Sequence, residues 1–249
     1  MKTETVWLDE LTMPEAEEAA RRGKVIILPI GSVEEHGRHL PLCTDSLQPE
    51  NIAVEVAKKA GCLVAPAIRY GLCTTTRSFP GTISVSFNSL YNIICDVLDE
   101  LARQGFKRLI ILSGHAGSSH MAALRLAACD VLDKHAKESK RRALKIIVFS
   151  DYDFAYELRG KQFDKHDGHG GEIETSRILA IRPDLVKGRT EKNFSEMPRF
   201  EIVANPKEYW PNGIQGDPSK ASVGKGIIAN KHIIKKMLAL VKELSKRTK

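Results

Sequence analysis

Apolar and polar positions follow two rhythms along this chain. Short apolar runs at Lys24–Ile30, Cys62–Ala65, Arg108–Leu112 and Lys145–Phe149 have the length and branching of buried strands. Between them, apolar residues recur at helical spacing. Pro14–Arg22 opens on proline, continues with acidic residues and stops at Gly23. Ser46–Ala60 carries Leu47, Ile52, Ala53, Val56 and Ala57 on one face, with Gly61 past its end. Asn88–Gln104 is amphipathic, begins at a capping asparagine and ends before Gly105. A further helix, capped by Ser118 or Ser119, runs to about His135. Glu172–Ile181 stops before Pro183, and Ser219 opens a C-terminal helix reaching toward Lys246. Tyr70–Ser84 reads as a long loop. The segment from Lys187 to Asp217 is irregular, with short strands expected near Arg199–Val203.

Strands that alternate with helices predict an α/β fold: a mainly parallel sheet sandwiched by helices. No linker or low-complexity tract divides the chain, so one domain over residues 1–249 is expected. In such folds ligands bind outside the carboxyl ends of the strands. Glu34 and His36 follow the first strand directly, and His115 follows the third. Chain direction alone therefore brings these two clusters to one rim.

The residue types at that rim suit a borderline divalent metal. Glu34 and His36, two apart, point the same way in an extended segment. Asp45 reaches back across a short loop, and its two oxygens suit a bridge between two ions. Such ions, ~3.5–4 Å apart, lower the pKa of a shared water and polarise a carbonyl. His115 is a further candidate ligand, with a capping role at a helix start as the alternative. A third cluster lies at His166, His169, Glu172 and Glu174, interleaved with Gly168, Gly170 and Gly171. In a helix the two glutamates cannot both face one site, so one is a ligand candidate and the other complements the helix start. His39 is a candidate for orienting a ligand. His120 fits the rim, core or surface equally, and His135 and His232 read as exposed. Cys43 reads as a small buried residue.

Composition narrows the partners. The five cysteines are scattered without a CxxC pair, which argues against a zinc ribbon or a disulfide framework and suits a reducing interior. No run approaches the roughly 18 apolar residues of a membrane span, and the charged N-terminus has no apolar leader. A soluble, cytoplasmic protein is expected. The net charge of +7 lies largely in Lys134–Arg142 and Lys231–Lys249. With aromatics at 6% and no nucleic-acid motif, these runs read as solvated surface, not a nucleic-acid interface. An anionic small substrate fits the balance.

Leu-Pro-Ile-Gly-Ser-Val-Glu-Glu-His-Gly-Arg-His-Leu-Pro-Leu-Cys-Thr-Asp at 28–45 resembles the signature of the creatininase (creatinine amidohydrolase) family. Ser-Gly-His-Ala-Gly at 113–117 and His-Gly-Gly-Glu-Ile-Glu-Thr-Ser at 169–176 are similar to its second and third motifs. The resemblance implies an amidohydrolase with two divalent metals (Fe(II), Zn or Mn), often assembled as a homo-oligomer, a hexamer. It implies metal roles for Glu34, His36, Asp45, His115 and a later glutamate, with Glu174 the better match, and a proton-shuttle role for His169. Two positions depart from the family pattern. Gly117 stands where creatininase has a glutamate ligand, a gap Glu174 would fill. Lys165 stands where creatininase has a tryptophan, and a cation there suits an anionic substrate. The pattern is similar to that of archaeal family members that deformylate a formylamino-pyrimidine ribonucleotide in riboflavin and F420 biosynthesis. That similarity implies a nucleotide substrate, with formate released. The segment from Asn205 to Ser222 offers further pocket wall, and Gly213, Gly216 and Lys220 near a helix start offer a phosphate site. The alternatives are a creatininase-like hydrolase of another cyclic or linear amide, and a non-catalytic metal-binding protein.

Overall fold

A computed structural model describes residues 5–138 and 144–246. Four parallel strands, β1 (Ile26–Ile30), β2 (Leu63–Val64), β3 (Arg108–Ser113) and β4 (Lys145–Ser150), form a sheet of order β2-β1-β3-β4. β1 and β3 are in register from Ile26↔Leu109 to Ile30↔Ser113. Their carboxyl ends are therefore level, and the loops carrying Glu34 and His115 emerge side by side.

The strand pleat sends alternate residues to opposite faces. Ile26, Leu28, Ile30, Leu109 and Ile111 pack under α3 (Phe87–Arg103) and α4 (Ser118–Glu138), with α1 (Met13–Arg21) at the margin. Val25, Ile27, Ile110 and Leu112 face α2 (Thr44–Ala60), the short α5 (Tyr152–Ala155) and α7 (Val223–Lys246). α6 (Glu172–Ile181) enters the same layer through Ile173. The expected helix-sheet-helix sandwich is present. The outer ends of both basic runs, Ser139–Arg142 and Arg247–Lys249, lie outside the described residues.

Several boundaries differ for identifiable reasons. α1 is closed at its start by Thr12 and Glu15, whose carboxylate accepts from the Thr12 amide at 2.8 Å. α3 is capped by Ser86, whose hydroxyl accepts from the Ser89 amide at 3.1 Å, so the cap is not Asn88. Ser219 does not open the C-terminal helix. It sits in a separate 3₁₀ turn, Pro218–Lys220, capped by Asp217, and α7 begins at Val223. The strands expected near Arg199–Val203 are absent among the described residues: Phe200 and Ile202 are exposed and pair with no strand.

The difference that matters for function is at α2. It begins at Thr44, so Asp45 stands on a rigid first turn instead of a loop. Pro49, inside the helix, has no N–H to give the Asp45 carbonyl. Gly114 packs against that carbonyl; a Cβ there would lie 2.1 Å from the Asp45 oxygen. Only a glycine after β3 lets the His115 loop approach the Asp45 turn this closely.

Candidate metal centre

Asp45 joins the motifs. Its Oδ1 lies 3.0 Å from His36 Nε2, and its Oδ2 lies 3.0 Å from His115 Nδ1. The Ser32 hydroxyl donates to Oδ2 at 2.6 Å and fixes the carboxylate plane. On the His115 side, Glu34 Oε2 is 2.8 Å from His115 Nδ1, and the Thr76 hydroxyl donates to Glu34 Oε1. On the His36 side, Glu174 Oε2 is 3.5 Å from His36 Nε2 and accepts from the Gly170 amide at 2.5 Å. Glu34, His36, Asp45, His115 and Glu174 are all buried.

Charge separation inside the cluster is strong. Burial works against ionising Asp45, but His36 and His115 overcome it and hold the carboxyl well below the usual range. Burial likewise raises Glu34, and His115 more than reverses the effect, so its pKa is lowered. Burial lowers His36, yet Asp45 and Glu174 lift it well above its ordinary value; His115 is lifted in the same way by Glu34 and Asp45. The raised imidazoles thus face the lowered carboxyls of Asp45 and Glu34 as internal ion pairs. A divalent cation held there would displace protons from the imidazoles.

The donor set fits metal. His36, Asp45 and Glu174 offer atoms within 4.8 Å of one another, as do Glu34, His115 and Cys73. Nitrogen and carboxylate oxygen suit Zn, Mn or Fe. The two triads flank the two oxygens of Asp45. Cys73 is the donor that sequence reasoning passed over: it is fully buried, in the long 70–84 loop, where no periodicity marks it. Gly117 contributes space instead of a ligand, since a Cβ there would lie 2.6 Å from His115 Nε2.

The third motif divides as its helical spacing requires. Glu174 turns to the cluster, whereas Glu172 pairs with Lys225 and accepts from the Asp164 amide at 3.1 Å. Asp167 caps α6, accepting from the amides of Glu172 at 2.6 Å and Ile173 at 2.9 Å. His169 Nε2 is 2.8 Å from the Glu35 carbonyl, and its ring lies 4.2 Å from that of His36. Burial and the neighbouring His36 lower the His169 pKa, but Glu35, Glu34 and Glu174 outweigh them and the net shift is upward.

The other histidines separate clearly. His39 bonds to Thr175 Oγ1 at 2.8 Å and Thr190 Oγ1 at 2.9 Å, which ties the first loop to α6. His120 is fully buried, edge-on to His115 at 4.8 Å, and its Nδ1 accepts from the Leu72 amide at 3.2 Å. His166 points outward, 3.5 Å from Glu196, and does not join the cluster. His135 and His232 are half-buried and paired with Asp99 and Glu157, not free on the surface. Cys43 is half-buried and precedes α2.

A pocket of about 340 Å³ opens over the cluster. Thr75, Thr76, Tyr152, Tyr156, Arg159, Trp210 and Gln215 line it beside Glu34, Asp45, His115, His169 and Glu174. Lys165 and Lys220 are not among its lining residues. They border a neighbouring shallow depression, where Lys220 Nζ is 3.5 Å from Asp164 Oδ2. The loop before His169 turns Lys165 outward, and the aromatic wall comes from Trp210. Its ring stacks on His169 with centroids 5.7 Å apart and planes within 7°.

A parallel α/β sandwich with carboxylate and imidazole donors gathered at the carboxyl edge of its sheet defines a metal-binding protein of the hydrolase type. Residues 9–241 match the family described as creatininase, creatinine amidohydrolase, and the chain belongs to that family. It is 32% identical over 197 residues to the creatinine amidohydrolase of Pseudomonas putida, covering 74% of this chain and 75% of that protein. It is 29% identical over 216 residues to the mycofactocin precursor peptide peptidase of Mycolicibacterium smegmatis, covering 81% and 78%. A crystal structure of creatininase superposes with a TM-score of 0.88 at 27% identity, covering 97% of this chain and 98% of that one. Solved creatininases of this fold include a Zn–Zn form and an Mn form. Among the described residues, no helix is long and apolar enough to cross a membrane.

Proposed function

We propose that this protein is a two-metal amidohydrolase of a small-molecule amide, and that its substrate is a formylamino-pyrimidine ribonucleotide from which it releases formate. The observation that carries the hydrolase reading is Asp45, with one oxygen directed to each half of a buried acid–imidazole cluster. The narrower substrate reading rests on Gly117, which removes the creatininase-type glutamate, and on Glu174, which supplies a carboxylate beside His36. A planar ring also suits the wall made by Trp210 and His169.

Glu34, Asp45 and His115, with Cys73 alongside, would hold one ion; His36, Asp45 and Glu174 would hold the other. When bound, the ions supply Lewis acidity, which acidifies water and stabilises negative charge on a carbonyl oxygen. The chain's own residues do the rest. Thr76 and Ser32 orient Glu34 and Asp45 through hydroxyl hydrogen bonds. His169 is the proton carrier to the departing nitrogen, held in place by its Nε2 bond to the Glu35 carbonyl and its stack on Trp210. Trp210 and Tyr156 give the pocket an aromatic wall. The nucleotide, not a nucleic acid, is the partner, and a homo-oligomer, a hexamer as creatininase-like proteins form, is the expected assembly in the cytoplasm.

The test is formate release from the formylamino-pyrimidine nucleotide by protein purified anaerobically and supplied with Fe(II), Mn(II) or Zn(II), with creatinine assayed in parallel. Formate from the nucleotide alone is expected. Ring opening of creatinine without formate from the nucleotide would move the substrate to the creatininase-like alternative. Stoichiometric metal with no hydrolysis of either would refute the formylamino-pyrimidine substrate and send the search to other cyclic or linear amides.

A further inference from the structure

Arg159 is the single lysine or arginine among the described residues lining the metal-centre pocket. It follows the 3₁₀ turn Tyr156–Leu158, and its guanidinium carbon lies 3.2 Å from the centroid of the Tyr156 ring. Stacking fixes the plane of the group and leaves its edges for hydrogen bonds. One edge is used: Nη2 donates to the Asp167 carbonyl. Nε is enclosed with no partner, and no carboxylate among the described residues comes within ion-pair distance of the group. By contrast, Arg177 is paired with Asp151, and Arg21, Arg22, Arg69, Arg103 and Arg182 each hold a carboxylate.

A half-buried guanidinium without a counter-ion is costly unless something supplies the charge. The pocket does not supply it to Arg159. Its carboxylates, Glu34, Asp45 and Glu174, face His36 and His115 instead. Lys165 and Lys220, the lysines that sequence reasoning advanced for an anion, border a different depression.

We propose that Arg159 receives an oxyanion carried by the substrate, a phosphate or a carboxylate, and so selects anionic amides over neutral ones at this site. The inference deepens the amidohydrolase reading and rests on it. Nη1 makes no hydrogen bond to the protein and is the part of the guanidinium left for an oxyanion in the pocket.

The test measures binding to the metal-loaded protein with two matched pairs: the formylamino-pyrimidine nucleotide against its dephosphorylated nucleoside, and N-formylglycine against its neutral methyl amide. Wild-type protein should prefer the charged member of at least one pair, and which pair shows the preference identifies phosphate or carboxylate. Arg159→Gln should weaken the charged member by about 10–100-fold and leave the neutral member within about twofold, as loss of one charge-assisted contact requires. Arg159→Lys should restore part of the difference. A merely structural strut, acting through Asp167, would weaken both members equally, and that result overturns the proposal. So does wild-type binding without charge preference in either pair, a measurement that needs no variant to fold. Failure of the two readings is separable. Charge preference that depends on Arg159 without formate release sinks the deformylase assignment alone. Formate release with an undiminished preference in Arg159→Gln sinks the role of Arg159 alone.

Discussion

Replacing Arg177 with methionine should be among the most damaging changes away from the metal donors. Arg177 lies one helical turn beyond Glu174 on α6 and is fully buried, as is its partner Asp151. Nη2 donates to Asp151 Oδ2 at 2.5 Å, and Nε donates to Asn230 Oδ1 at 3.0 Å. The guanidinium also stands over Tyr152, whose hydroxyl donates to Gln48 Oε1 at 3.0 Å. Gln48 is one turn beyond Asp45, so this network braces both helices that carry carboxylates of the cluster, α2 with Asp45 and α6 with Glu174. Removing one partner of a buried ion pair costs about 3–5 kcal/mol, because the remaining charge is left without compensation. For a chain of this length that corresponds to a fall in Tm of roughly 6–20 °C. Burial already holds the Asp151 carboxyl above its ordinary pKa in spite of Arg177. Without Arg177 the shift grows. Stability from a carboxyl of raised pKa is full below the unfolded value and is lost as pH rises toward the folded one, so the deficit of Arg177→Met should be smaller at pH 5 than at pH 8. The assay is urea unfolding of metal-free protein followed by circular dichroism. The double variant Asp151→Asn with Arg177→Met should recover most of the loss. A single variant within about 1 kcal/mol of wild type would refute the reasoning.

Three further outcomes are expected. Asp45→Ala should lose both ions, as measured by elemental analysis after dialysis; one full equivalent of retained metal would exclude the bridging arrangement. Glu174→Gln should retain at most the ion held by Glu34 and His115, whereas Glu172→Gln, whose partner is Lys225, should keep wild-type metal content. Burial, with His36 nearby, pushes His39 down to about 4. The unfolded chain therefore takes the proton first, and stability present above pH 6.5 is lost as pH falls toward 4, by about 3 kcal/mol for this group. In metal-free protein His39→Gln should flatten that part of the stability–pH curve, and an unchanged slope between pH 6.5 and 4 would show that His39 does not contribute.

The sheet and its helices were legible because burial imposes a period. Ile26, Leu28 and Ile30 alternate with Ile27 across a sheet covered on both faces, and the α3 helix places Leu90, Ile94, Leu98 and Ala102 on one stripe. Glu34, His36, Asp45 and His115 were legible because chain direction puts β1 and β3 ends on one edge. Position on the rim was less accessible where it depends on long loops. Cys73, Thr76, Arg159 and Trp210 reach the pocket from segments without periodicity, and only tertiary packing of the irregular segment after α6 sets Trp210 on His169. Lys165 misled for the same reason: its position in a motif says nothing of which side of the loop it leaves. The strand expected near Arg199–Val203 failed because apolar residues there, such as Phe200, have no neighbouring edge to join.

The measurement that most directly tests the account is an anomalous-difference map from metal-loaded crystals, recorded at the absorption edge of the bound metal. The account predicts two peaks ~3.5–4 Å apart with the Asp45 carboxylate between them, one against Glu34 and His115, the other against His36 and Glu174. A single peak, or peaks bound by residues outside this cluster, would contradict it.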